Sequence, residues 1–141
     1  MIIAVTDDGF DLDHQDLKNS WHVNTREIPN NGIDDDQNGF IDDVVGWNFN
    51  NKNNNPDYDG NYGTHGTHIA GIINATPNNG VGVTGVAPGV KIMPLKFYGS
   101  AGWTSAMVYE SYAYAVNNGA SIITTSYNIN AMSRDPIYQK A

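Results

Sequence analysis

The chain has 141 residues, about one domain's worth, and no cysteine, which excludes a disulfide framework and thiol chemistry. Its 15 acids against 7 bases leave a formal charge of -8, which argues against nucleic acid as a partner and suits cation binding where the acids cluster. No apolar run reaches the length of a membrane span and no basic, apolar leader precedes Met1-Ile2-Ile3, so neither a membrane partner nor a signal peptide is expected within these residues.

Residues 2 to 6 read as a buried strand that delivers Asp7 to its carboxyl end, followed by a turn at Gly9 and a short helical or irregular piece around Asp16-Leu17. Opening directly on a core strand suggests boundaries cut by something other than folding. From Asn24 to Asp43 the chain is rich in Asn, Asp and Gly, an ordered loop if a cation neutralises it and a disordered one if not. Val44 to Phe49 is expected to form a short strand, and Asn50 to Gly63 a polar surface loop that leads to Thr64-His65.

His65 to Asn74 has helical spacing, with Ile69, Ile72 and Ile73 on one side and Gly66, Ala70 and Gly71 allowing close packing. After an Asn78 to Val83 turn, Val90 to Lys96 reads as a strand with Pro94 making one end irregular. Gly99 to Gly102 is flexible, and Thr104 to Asn118 is an amphipathic helix capped by Thr104 or Ser105 and stopped by Asn117-Asn118-Gly119. Ala120 to Ser126 is a third strand. Strands alternating with helices imply an α/β fold with a parallel sheet, whose sites lie beyond the carboxyl ends of the strands, where Asp7 and Ser126 fall.

Asp7 and His65 make a candidate acid and base: a carboxylate bound to one imidazole nitrogen fixes the tautomer and stabilises the imidazolium formed when the other nitrogen takes a proton. The bland reading is that Asp7 caps a turn and His65 a helix. His68, three residues on, suggests a shared metal, but no Glu follows His65 as in the His-Glu-x-x-His zinc motif and no third ligand is evident.

The segments Val5 to Asp11 with His14-Gln15-Asp16-Leu17, and Gly63 to Gly71, resemble the acid and histidine signatures of the subtilisin family of serine proteases. The likeness continues through Gly82 to Pro88, Lys91 to Lys96 and Ala120 to Ser126. It implies a three-layer αβα fold with a mostly parallel sheet, with Asp7 as triad acid, His65 as general base and His68 packed behind the site. It further implies that Ser126 lines the substrate cleft and that a peptide or protein substrate lies as an added strand along Gly99 to Gly102. The alternative for that last segment is a plain flexible loop before a helix. Two departures stand out: Asp8 follows the acid where the family has Ser or Thr, and Tyr127-Asn128 follow Ser126 where it has small residues.

Asp34, Asp36, Asn38 and Asp42 alternate like the first half of an EF-hand loop, with Gly39 at a turn, and are candidate calcium ligands. Position twelve would be Val45 rather than a bidentate Glu, which favours a single inserted calcium loop over an EF-hand. By resemblance Asp16 and Asn79, with the Pro77 to Val83 backbone, match a second calcium site of the family.

The family's nucleophile opens a helix in a Gly-Thr-Ser type segment, and no serine of this chain has that context. Residues 1–141 are therefore expected to be the amino-terminal part of a subtilisin-like peptidase domain, incomplete without a C-terminal half that would be its partner and inactive alone. Such a half would expose a sheet edge and be marginally stable. The resemblance implies secretion. The alternatives are a noncatalytic calcium-dependent binding protein on a protease-like scaffold, and a metal-dependent hydrolase.

Overall fold

A computed structural model describes residues 1–127. Strand β1 (Ile2–Asp7) is central in a four-stranded sheet that also holds β2 (Trp47–Asn48), β3 (Lys91–Lys96) and β4 (Ile122–Thr125). The order is β2-β3-β1-β4 and every pairing is parallel. Helices α1 (Thr64–Asn74) and α2 (Ser105–Asn117) complete the αβα layers.

The layers follow from alternation along the strands. Ala4, Met93 and Leu95 join Val108, Tyr114 and Ala115 of α2 in one core, with Phe49 and Phe97. Val5 and Ile92 join Ala70 of α1, Phe10, Leu17 and Trp21 in the other. Burial on both faces is why these strands read as nearly continuous apolar runs.

Two expectations change in detail, and a third resolves between its alternatives. The strand expected over Val44 to Phe49 shrinks to Trp47–Asn48 because Val44 O accepts Asn24 N–H, tying it to the acidic loop, and Asn48 turns back to pair with Asn53. Around Asp16-Leu17, where a helical or an irregular piece is expected, the chain takes the irregular form, successive turns closed by His14 N to Asp11 O, Leu17 N to His14 O and Ser20 N to Leu17 O. Pro94 sits within β3, opposite Val5, rather than at an irregular end.

Helix α1 buries a stripe of small and polar residues, Gly66, Ala70 and Asn74, while Ile72 is exposed and Ile69 and Ile73 only flank the core. The i, i+4, i+8 stripe lets the helix lie close to the sheet. His68 is two residues from both Gly66 and Ala70, hence on the opposite side of the helix; it is exposed, not packed behind the site. Helix α2 starts as expected: Thr104 is the N-cap, its hydroxyl accepting the Met107 N–H at 3.2 Å.

Candidate active site

The carboxyl end of β1 and the first turn of α1 meet at Asp7 and His65. Asp7 is 5% exposed, and its Oδ1 lies 2.7 Å from His65 Nδ1. The contact assigns the imidazole proton to Nδ1, donating to the carboxylate, and leaves Nε2 for the cleft. The same Oδ1 accepts the Asp8 N–H at 2.8 Å, and Oδ2 is buried with no hydrogen-bond partner among the described residues. Burial pushes the Asp7 carboxyl up, opposed by the His65 hydrogen bond, while that hydrogen bond raises His65 above the ordinary imidazole value. The pair is therefore arranged to take up a proton at Nε2 and stabilise the resulting cation.

Why the two segments can come so close is a matter of one missing side chain. A Cβ on Gly66 would stand 2.2 Å from Gly9 O and 3.0 Å from Asp7 Cβ. Asp8 adds a second tie: its Oδ1 accepts the Gly66 N–H at 2.9 Å, satisfying one of the orphan donors of α1, whose own N-cap Gly63 offers no side chain. Donor atoms of Asp7, Asp8 and His65 converge within 4.8 Å, but Asp7 Oδ1 and His65 Nδ1 are spent on each other, as in an acid-base pair.

A cleft of about 280 Å³ opens here, lined by Asp7, Asp8, His65, Ser126 and the aromatic rings of Phe97, Tyr98, Trp103 and Tyr127. Ser126 is thus placed in the same cleft as the pair. Gly102 does not line it; its N–H donates to Gly99 O at 2.9 Å and its carbonyl accepts Asn50 Nδ2 at 2.6 Å, closing the segment on itself as a turn. Tyr127 packs on Phe97 with centroids 4.6 Å apart.

The acidic loop folds back on itself differently from the expected ligand series. Asp34 accepts the Asn38 and Gly39 N–H groups, and Asp42 those of Asn31 and Gly32, so both carboxylates serve turns. Asp36 instead converges with Glu27 and Asp43, their oxygens all within 4.8 Å of one another. Asn38 serves this group as a donor, its Nδ2 reaching Asp43 Oδ2 at 2.9 Å. Burial raises Asp43, although Tyr114, Asn38 and Asn24 all donate to it. The charged counterpart is Arg26, 2.8 Å from Asp36. Three clustered carboxylates with one partly exposed cation are a donor set that suits a hard divalent ion. Separately, Asp16 accepts Asn79 Nδ2 at 2.7 Å and the Val83 N–H at 2.9 Å, hydrogen bonds that hold its carboxyl below the usual range.

A sequence description of the subtilase family matches residues 1–140. The chain belongs to the subtilase family. It is 38% identical over 137 residues to a subtilisin-like protease 1 of Plasmodium berghei, a match covering 93% of this chain and 22% of that protein. It is 33% identical over 126 residues to a calcium-dependent protease of Trichormus variabilis, covering 89% of this chain and 15% of the relative. Among solved structures, the psychrophilic subtilisin-like protease of an Antarctic Pseudoalteromonas aligns with a TM-score of 0.58 at 31% identity, over 89% of this chain and 24% of that one. The chain thus spans about a fifth of the length of the relatives it matches.

Within this subtilase the Asp8 carboxylate is a further source of negative charge beside the imidazole, and it acts on His65 in the same direction as Asp7, upward. Replacing Asp8 with Asn keeps an acceptor for the Gly66 N–H and removes the charge. The His65 titration midpoint, followed by NMR of carbon-labelled histidine, is expected to fall; an unchanged or raised midpoint would show that the charge is not felt at the ring.

Proposed function

We propose that the chain supplies the acid and the base of a serine endopeptidase, Asp7 orienting and His65 accepting the proton, with the serine nucleophile and the oxyanion donor on chain beyond these 141 residues. The observation that carries the reading is the 2.7 Å contact between buried Asp7 and His65 at the mouth of an aromatic-lined cleft, in a chain of the subtilase family. The base takes the serine proton as the oxygen attacks the scissile carbonyl and returns it to the leaving amine. Residues 1–141 are then part of a peptidase domain, their substrates are peptides or proteins, and Ser126 and the rings around it bound the substrate's path. The secretion implied by the resemblance belongs to the same reading. Among the described residues no helix is long and apolar enough to cross a membrane.

Labelling with a serine-directed fluorophosphonate tests the proposal on the protein that carries this chain. A stoichiometric adduct is expected. A protein that binds calcium yet takes no label would instead be the noncatalytic scaffold.

Calcium as a structural cofactor is part of the proposal. Its support is the convergence of Glu27, Asp36 and Asp43 and the name of the Trichormus variabilis relative. The ion would neutralise carboxylates that otherwise repel one another beneath α2 and so fix the loop against Tyr114. Asp34 and Asp42 shape the turns around it, and Asp16 with Asn79 would hold a second ion at the Pro77 to Val83 loop. Calcium at a hundred times its dissociation constant adds about 2.7 kcal/mol to stability, so chelation is expected to lower the melting temperature by roughly 5–10 °C for a domain of about 150–250 residues. Asp43→Asn should abolish most of that difference. A melting curve indifferent to chelator, with no heat in a calcium titration, would remove the cofactor from the account.

A further inference from the structure

Lys96 is the last residue of β3, in register with Asp7 and 1% exposed. A buried ammonium needs partners, and it has two, both on the loop that leads into α1: Asp59 Oδ2 at 3.0 Å and Asp57 O at 3.2 Å. Its stem runs beneath the turn after Asp7, where a Cβ on Gly9, whose φ is +122°, would meet Lys96 Cδ and Nζ at 3.1 Å and Gly63 Cα at 3.3 Å. The ammonium thus lies where three pieces of the site touch: the end of β1, the N-cap of α1 and the loop between residues 50 and 63.

Asp59 extends the grip toward the helix. Its Oδ2 meets the ammonium while its Oδ1 accepts the Asn61 and Tyr62 N–H groups at 3.1 and 2.9 Å, and its own N–H donates to Tyr62 O at 3.2 Å. This turn ends one residue before Gly63, and His65 is the second residue of the helix that follows. Asp57 ties the other side of the loop to the Phe10-Leu12 segment, its Oδ1 accepting the Leu12 N–H. The lysine bond holds Asp59 down at about 2, so the carboxylate is charged throughout the working range.

We propose that Lys96 and Asp59 are a positioning pair for His65, the buried ammonium fixing the turn from which α1 starts and so setting the reach between the imidazole and Asp7. Neither residue touches the ring; they act through the backbone of residues 59 to 64. The proposal rests on the assignment of Asp7 and His65 as acid and base, but its primary readout does not require turnover. The charged groups lining the His65 cleft are Asp7 and Asp8.

The experiment is histidine NMR titration of the protein carrying this chain, with His65→Gln assigning the signal, in Asp59→Asn and Lys96→Met. A field effect alone would move His65 in opposite directions, down on loss of the acid and up on loss of the lysine. Loss of positioning weakens the Asp7 contact in both, so both midpoints are expected to fall. Asp59→Glu keeps the charge and displaces the turn, and is also expected to lower the midpoint; it carries the same distinction if Lys96→Met does not fold. Opposite shifts, or an Asp59→Glu midpoint equal to the parent's, would overturn the pair's role. In parallel, fluorophosphonate labelling should slow at least ~10-fold, since a misplacement of about 1 Å costs up to ~10²-fold. Common downward shifts in a protein that takes no label would leave the positioning role standing and refute the peptidase assignment; labelling with unmoved midpoints would do the reverse.

Discussion

Replacing His65 with alanine is expected to abolish fluorophosphonate labelling and peptide hydrolysis by the protein that carries this chain, with a loss on the order of 10⁶ in turnover. Asp7→Asn should cost about 10⁴. The first figure is that known for subtilisin and the second that of the same substitution in a trypsin-type triad. What this structure adds is why the two should differ. In the proposed triad His65 would move the proton, so without it the nucleophile would stay a weak alcohol. Asp7 acts through the 2.7 Å bond to Nδ1, and asparagine in its place can present a donor to a nitrogen that should itself donate, favouring the wrong tautomer. The acidic limb of the rate profile should follow His65, whose midpoint Asp7 raises, so activity is expected to be lost as pH falls through a value above the ordinary imidazole range. Residual hydrolysis by His65→Ala with an unchanged acidic limb would mean that the measured base is another group.

The elements and the pair were legible because their signals are local. An apolar run ending in Asp7-Asp8-Gly9 and a glycine-rich helix opening on Thr64-His65 each announce themselves within about ten residues, and the crossover logic of parallel sheets then places Asp7 at a strand's carboxyl end. The support around the pair was not legible, because it is assembled from segments far apart in sequence. Lys96 reads as the tail of a strand, and nothing in Val90 to Lys96 shows that its ammonium will be buried against Asp59, thirty-seven positions away. Glu27 has no acidic neighbour in the sequence to mark it, yet its carboxylate bridges the N–H groups of Asp36 and Asp42 and joins Asp36 and Asp43. The alternation of Asp34, Asp36, Asn38 and Asp42 is a local signal with two uses: Asp34 and Asp42 close turns, which acidic side chains do as readily as they bind ions, while Asp36 joins the carboxylate cluster. The apolar residues of α1 show the same limit of a local signal. Ile72 fits an amphipathic stripe, but the face that meets the sheet is the one whose side chains are smallest, because the imidazole must reach a carboxylate on the strand below.

That geometry sets the last expected result, a contrast between the two glycines of His65-Gly66-Thr67-His68-Ile69-Ala70-Gly71. Gly71→Ala places a methyl where no atom lies within 4 Å. In a helix that replacement removes backbone freedom from the unfolded chain and raises intrinsic propensity, so it should stabilise the protein by about 0.5–1 kcal/mol. Gly66→Ala has the same propensity gain and the opposite outcome. Its Cβ would fall 2.2 Å from Gly9 O, a backbone atom that no rotamer change can move aside. Either α1 lifts from the sheet or the Asp8-Gly9 turn gives way, and overpacking of this kind costs about 1–3 kcal/mol, more where backbone must shift. Both escapes lengthen the Asp7 to His65 contact, and the first also strains the Asp8 bond to the Gly66 N–H. Labelling should therefore fall by about 10²-fold or more in molecules that remain folded, with the His65 midpoint dropping toward that of a free imidazole. Thermal melts and the histidine titration of the two variants side by side decide the matter. If Gly66→Ala were as stable as Gly71→Ala and kept its raised midpoint, the close approach of helix to strand would not be what brings the base to its acid.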